Sequence, residues 1–117
     1  MLTGLTKIYR YKVRSGVEEQ YFALQREVLK LYRRYTPMDV LFYADPADVT
    51  CRTEVVRFFA ADAKQAIDQI DRDPEILRLF EKFRHEILDP GDPSIREEVR
   101  TGDEINGGRN IVAMGGG

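Results

Sequence analysis

From Thr6 to Arg14 the chain reads T-K-I-Y-R-Y-K-V-R, and its residues divide by parity. Tyr9, Tyr11 and Val13 fall on one side, and Ile8, Arg10, Lys12 and Arg14 on the other. Side chains of a strand point alternately to its two faces, so this stretch predicts a strand with an apolar row backed by a largely basic one. After Ser15-Gly16, a turn, the period changes. Val17, Tyr21, Leu24, Val28, Leu31, Tyr32 and Tyr35 form the stripe of a long amphipathic helix. Ser15 is its expected cap, and Glu18 and Glu19 place negative charge where the helix dipole favours it. Pro37 ends the helix by forcing the residue before it out of the helical region.

Asp39 to Ala44, D-V-L-F-Y-A, is apolar in both parities. Cys51 to Ala60, C-R-T-E-V-V-R-F-F-A, is β-branched and aromatic, with Val55 and Phe59 on one face and Val56 and Phe58 on the other. Asp45-Pro46-Ala47-Asp48 between them has turn chemistry, so the pair predicts a hairpin. Asp62 is placed to cap a helix from Ala63. That pattern breaks at Asp71-Arg72-Asp73-Pro74 and restarts, with Asp73 as cap and proline at the first helical position. Pro74 to Leu88 carries Ile76, Leu77, Phe80, Phe83 and Ile87 in one stripe, and Asp89-Pro90-Gly91-Asp92-Pro93 stops it. Ser94 to Thr101 alternates as a last strand.

The order strand, helix, strand, strand, helix, strand predicts an α+β, ferredoxin-like βαββαβ domain with a four-stranded antiparallel sheet, over residues 1–101. Residues 102–117 form a Gly-rich C-terminal tail, in which Asn110 to Met114 is expected to dock on a partner subunit or a sheet edge. Two helices cover one sheet face, yet the hairpin strands are apolar on both. A second layer from elsewhere is therefore required for Val40, Phe42, Val56 and Phe58, or for their alternates.

A length of 117 residues bounds the chain to one domain. Hydrophobic residues at 43% and charged residues at 32% exclude a disordered chain. No apolar run approaches the ~18 residues of a membrane span, so no membrane association is expected. A net charge of −2 supplies no strong field for nucleic acid. The basic helix face of Arg26, Lys30, Arg33 and Arg34 is diluted by Glu18, Glu19 and Glu27, and reads as solvated surface. One cysteine, Cys51, makes no internal disulfide, and Met1 to Leu5 has no signal-like character, so a cytoplasmic setting is expected. A single histidine, His85, removes every His-pair metal site, and no glycine-rich loop joins a strand to a helix with phosphate-binding spacing. Neither a metal nor a cofactor is expected.

V-R-S-G-V-E-E at 13–19, E-V-V-R-F-F-A-A-D-A-K-Q-A-I at 54–67 and R-D-P-E-I at 72–76 resemble the antibiotic-biosynthesis-monooxygenase-like domains of the dimeric α/β-barrel superfamily. The resemblance spans about residues 5–101. It implies that two subunits face their sheets together into a shared barrel, which provides the missing second layer. It also implies a cofactor-independent oxygenase acting on phenolic or quinol-type substrates, or a non-catalytic ligand-binding or assembly module of the same fold. The haem-degrading members keep an asparagine, a tryptophan and a histidine where alignment places Tyr9, Ala61 and Phe80, so haem chemistry is not expected. His85 lies about 140° round the helix from Phe80, on its polar side.

Phenol chemistry needs a dry pocket, a route for the substrate proton and a group to hold the anion. Tyr9, Tyr11 and Arg57 are the candidate catalytic residues, and Tyr21, Tyr32, Phe59 and Phe80 the candidate substrate-binding residues. No carboxylate is clearly placed as base. Arg57 shares a face with Val55 and Phe59, where it can hold a phenolate or carboxylate, or pair with an acidic neighbour. Arg10, Lys12 and Arg14 are expected beside Glu98 and Arg100, as cross-strand pairs or as an anion-binding cluster. The expected partners are a second copy of the chain and a small aromatic or acidic molecule.

Overall fold

A computed structural model describes residues 4–102, as β1 (Gly4–Lys12), α1 (Glu18–Tyr32), β2 (Met38–Asp45), β3 (Asp48–Phe58), α2 (Ala63–Ile70), α3 (Pro74–Glu86) and β4 (Arg96–Gly102). The strands pair antiparallel in the order β2-β3-β1-β4. This is the ferredoxin-like α+β arrangement that the order of elements predicts. The expected docking segment Asn110 to Met114 lies outside the described residues. Among the described residues no helix is long and apolar enough to cross a membrane.

The helix boundaries follow local chemistry, with three corrections, the first being that α1 ends at Tyr32 and turns before Tyr35 and Pro37. Ser15 is not the cap of α1: Val17 occupies that position, with no side-chain cap bond, and the helix begins at Glu18. Gly16 has φ +76°, a conformation that glycine adopts with least strain, and the turn at Gly16 leaves Ser15 two residues before the cap position. Asp62 precedes α2 but likewise makes no side-chain cap bond. Asp73 caps α3 as expected, its Oδ1 accepting from the backbone N–H of Glu75 at 2.8 Å and of Ile76 at 3.2 Å.

Register sorts the sheet into two faces. Tyr9 opposes Glu54 and Tyr11 opposes Arg52 across β1 and β3, and Glu54 opposes Phe42 across β3 and β2. These residues, with Val40, Val56 and Phe58, face the helices. Tyr21 of α1 meets Phe42 at 5.9 Å between ring centroids, and Tyr32 stacks on Phe58 at 6.3 Å. The core continues through Leu24, Val28, Ile70, Ile76, Leu79 and Leu88. Each such side chain removed from water contributes roughly 1.5–3 kcal/mol.

The face turned from the helices carries the alternates, not Val40, Phe42, Val56 and Phe58. Leu41, Val55 and Ile8 stand in one row across β2, β3 and β1. Leu41 is 39% and Tyr43 53% exposed. Ion pairs flank this row: Arg57 binds Asp39 through two N–H groups at 2.8 and 2.6 Å, and Arg10 donates to Glu98 at 3.3 Å, which also accepts from Arg100. Arg14 does not join them. Val13 bridges to Leu88, and Arg14 donates to the carbonyls of Leu88 (3.0 Å) and His85 (2.6 Å), where a cation favours the end of α3.

Candidate active site

The long stripe of α1 and the stripe of α3 do not close completely on β1 and β3. Between them remains a cavity of about 180 Å³. Tyr9 and Tyr11 enter it from β1, Glu54 from β3, Leu24, Gln25, Val28 and Tyr32 from α1, and Phe80, Phe83 and Arg84 from α3, with Ile95 ahead of β4. Arg84 and Ile95 are the exposed members of this lining and mark its mouth. The walls are apolar rings and aliphatic chains, and the polar groups converge at the Glu54 end.

Glu54 is the carboxyl on that wall, and its environment is unusual. Its Oε1 accepts from the Tyr11 hydroxyl at 2.8 Å and from Gln25 Nε2 at 3.3 Å. The hydroxyls of Tyr11 and Tyr21 lie 2.6 Å apart. Tyr11 has one proton and gives it to Glu54, so Tyr21 donates to Tyr11, and the three form one directed chain. Burial pushes the Glu54 carboxyl up to about 7, against the pull of the Tyr11 and Gln25 bonds. Burial also lifts Tyr21, up to about 12, although the nearby Arg52 guanidinium pulls it down. Tyr9, Tyr11 and Tyr32 are driven higher still by burial first, then by their neighbours' negative charge. All four tyrosines therefore stay protonated at neutral pH, as donors rather than bases.

Arg52 supports the chain from behind. It is 7% exposed, donates to Glu18 at 2.9 Å, and sets its guanidinium 5.2 Å from the Tyr21 ring centroid, within cation–π range. Its charge is thus met by a carboxylate at the surface and an aromatic face inside.

Of the residues the sequence singles out, the structure brings Tyr9, Tyr11, Tyr32 and Phe80 together around the cavity. Tyr21 is buried behind it and acts on it through Tyr11. Arg57 and Phe59 are elsewhere. Arg57 lies on the open face with its guanidinium engaged by Asp39, and Phe59, past the end of β3, is exposed beside it at 5.7 Å. Arg57 therefore takes the ion-pair alternative, and neither residue reaches the cavity. Glu54 is the residue that sequence reasoning missed. Among the described residues no group of three or more His, Cys, Asp or Glu side chains is placed to hold a metal. His85 is exposed on α3, 3.3 Å from Glu81.

No protein-family model and no curated protein matches the chain. Solved structures do resemble it. SnoaB, a cofactor-independent oxygenase from Streptomyces nogalater, superposes with a TM-score of 0.66 at 10% identity, over 88% of this chain and 96% of that one. A Nitrosomonas europaea protein provisionally named an antibiotic biosynthesis monooxygenase gives a TM-score of 0.66 at 10% identity, over 87% and 92%. A NIPSNAP family protein of unknown function from Agrobacterium tumefaciens gives 0.60 at 12% identity, over 85% and 87%. At such identities the likeness is one of fold, and it extends over nearly the full length of each chain. Sheet order, helix placement and these superpositions together give the chain a ferredoxin-like α+β fold, the fold shared by SnoaB and the Nitrosomonas europaea protein.

Proposed function

We propose that the protein is a cofactor-independent oxygenase for phenolic or quinol-type substrates, with Glu54 as its general base. The observation that carries this reading is a carboxyl raised to about 7 on the wall of an apolar cavity. A base is most effective when its pKa approaches both the working pH and that of the acid it deprotonates. Against a phenol near pH 10, proton transfer to Glu54 is uphill by roughly 4 kcal/mol, instead of roughly 7.5 for a carboxylate near 4.5. Tyr9 and the second amide N–H of Gln25 supply the donors that orient the substrate oxygen beside it, while Tyr11 holds Glu54 in place.

The reaction balances without a further reductant. Glu54 takes the phenolic proton, and the phenolate gives one electron to O2. The resulting phenoxyl radical and superoxide combine at a ring carbon, and the proton returns from Glu54 to form a hydroperoxide. Loss of water, with the hydrogen of that carbon, leaves a quinone. One oxygen atom enters the substrate and the other leaves as water. The name of SnoaB, a cofactor-independent oxygenase of the same fold, supports this chemistry.

Oxygen uptake with a panel of phenols and quinols tests it. Turnover by the wild-type protein that falls at least about 100-fold in Glu54→Gln is the expected result. Saturable binding of the same compounds with no oxygen uptake would replace the enzyme with a ligand-binding module. We also propose that a second copy covers the open sheet face, where Ile8, Leu41, Tyr43 and Val55 are left without a layer.

A further inference from the structure

We infer that the cavity selects a single-ring phenol carrying a carboxylate, with Arg84 as the residue that reads the acid. The inference rests on the oxygenase reading only for the phenol end of the ligand. Size is the first constraint. A dry cavity of about 150 Å³ holds one benzene ring, so about 180 Å³ accepts one ring with short substituents and excludes a fused skeleton of three or more rings.

Charge is the second constraint. Besides its tyrosines, the lining contains two ionisable side chains: Glu54, held among Tyr11 and Gln25 away from solvent, and Arg84, which is exposed. Phe80, one helical turn before Arg84, lies on the same face of α3, so the guanidinium follows the ring along the cavity wall. Arg84 Nη2 donates to Glu81 at 3.0 Å, an exposed i,i+3 pair that is worth little and exchanges readily. Its Nε and Nη1 have no protein acceptor among the described residues, which leaves one edge of the planar fork open to a carboxylate. A phenol whose hydroxyl meets Glu54 therefore presents its acid arm to Arg84 when that arm is short.

Calorimetry with 4-hydroxyphenylacetate, its neutral amide, and a three-ring hydroxyanthracene carboxylate tests this without requiring turnover. The acid should bind the wild-type protein about 10-fold or more tighter than the amide. Arg84→Gln should weaken the acid by about 10- to 100-fold, the range for a hydrogen bond to a charged group, and change the amide by less than about twofold. Arg84→Lys should restore part of the affinity. The anthracene acid should bind at least about 10-fold more weakly than the single-ring acid. Equal losses for acid and amide, absence of binding by the single-ring acid, or equal binding of the three-ring acid would each overturn the inference. Oxygen uptake is a separate readout: binding as described without turnover leaves the ligand assignment standing and removes the oxygenase.

Discussion

Glu54, the proposed base of the cavity, also costs the fold stability. Its carboxyl is raised from 4.5 to about 7 in the folded chain, chiefly by burial. The folded state thus holds a proton that the unfolded state gives up between these values, and stability is full below about 4.5 and lost as pH rises through about 7. The loss is on the order of a few kcal/mol. Groups facing Glu54 are Tyr9 and Tyr11 from β1, Gln25 and Tyr32 from α1, and Arg84 at the mouth from α3. Burial keeps Tyr9, Tyr11 and Tyr32 neutral throughout this window, so they do not titrate alongside Glu54. Turnover should therefore rise through about pH 7 while stability falls. Glu54→Gln mimics the protonated carboxyl, and should abolish turnover yet exceed wild-type stability above pH 8 in urea unfolding. A variant less stable than wild type there would show that ionised Glu54 is favourably held. Parity alone puts Glu54 on the strand face of Val56 and Phe58, but only the placement of the helices makes that face the core and puts Glu54 on the cavity wall. Arg57 misled because the apolar row it shares with Val55 is the open face, where Asp39 across β2 meets it. No single-strand pattern shows which face a helix will cover.

Helix ends show what local sequence can and cannot specify. Asp73 before Pro74 was legible because both cap and proline act within one turn, and α3 begins there. Ser15 failed because a cap requires a backbone geometry as well as a side chain, and Gly16 sets that geometry. Asp73→Ala removes acceptors for two backbone N–H groups and for the Tyr35 hydroxyl. It should cost about 1–2 kcal/mol, read as a fall in Tm, whereas Asp73→Asn keeps a capping oxygen and should cost a fraction of that. Equal losses would mean that charge, not capping, stabilises the start of α3. Gly16→Ala meets no atom within 4 Å but must hold φ +76°, so it should cost about 1 kcal/mol from backbone strain alone. A neutral result in equilibrium unfolding would show that the turn relaxes. The break between α2 and α3 was likewise written in Asp71–Pro74. The ends of β1 were not, since hydrogen-bond partners on β3 and β4 decide where a strand stops.

At the scale of the molecule, one sheet face is packed and the other is built as though to be packed. Leu41, Val55 and Ile8 lie side by side across three strands, between the Asp39–Arg57 pair on one side and the Arg10–Glu98 pair on the other. Apolar centre and charged rim is the anatomy of an interface, and stable ones bury about 1,200–2,000 Å² in total. Double-sided hydrophobicity in D-V-L-F-Y-A had called for this layer from the sequence, although the parity that needs it could be assigned only once the helices were placed. A twofold partner would set each row against its own copy, so one substitution is felt twice. Val55→Lys sits in the centre of the row, where two lysines would be buried together in a dimer, while in a monomer it points to solvent on a face the helices do not touch. Light scattering behind size exclusion should report a dimer for wild type and a monomer for Val55→Lys, with the thermal transition of the variant becoming independent of protein concentration. The cavity lies on the other side of the sheet, so the monomeric variant should still bind a phenol. A wild-type monomer at micromolar concentration would leave the open face to another partner, and binding lost together with the dimer would mean that the cavity takes its shape from the assembly and not from one chain.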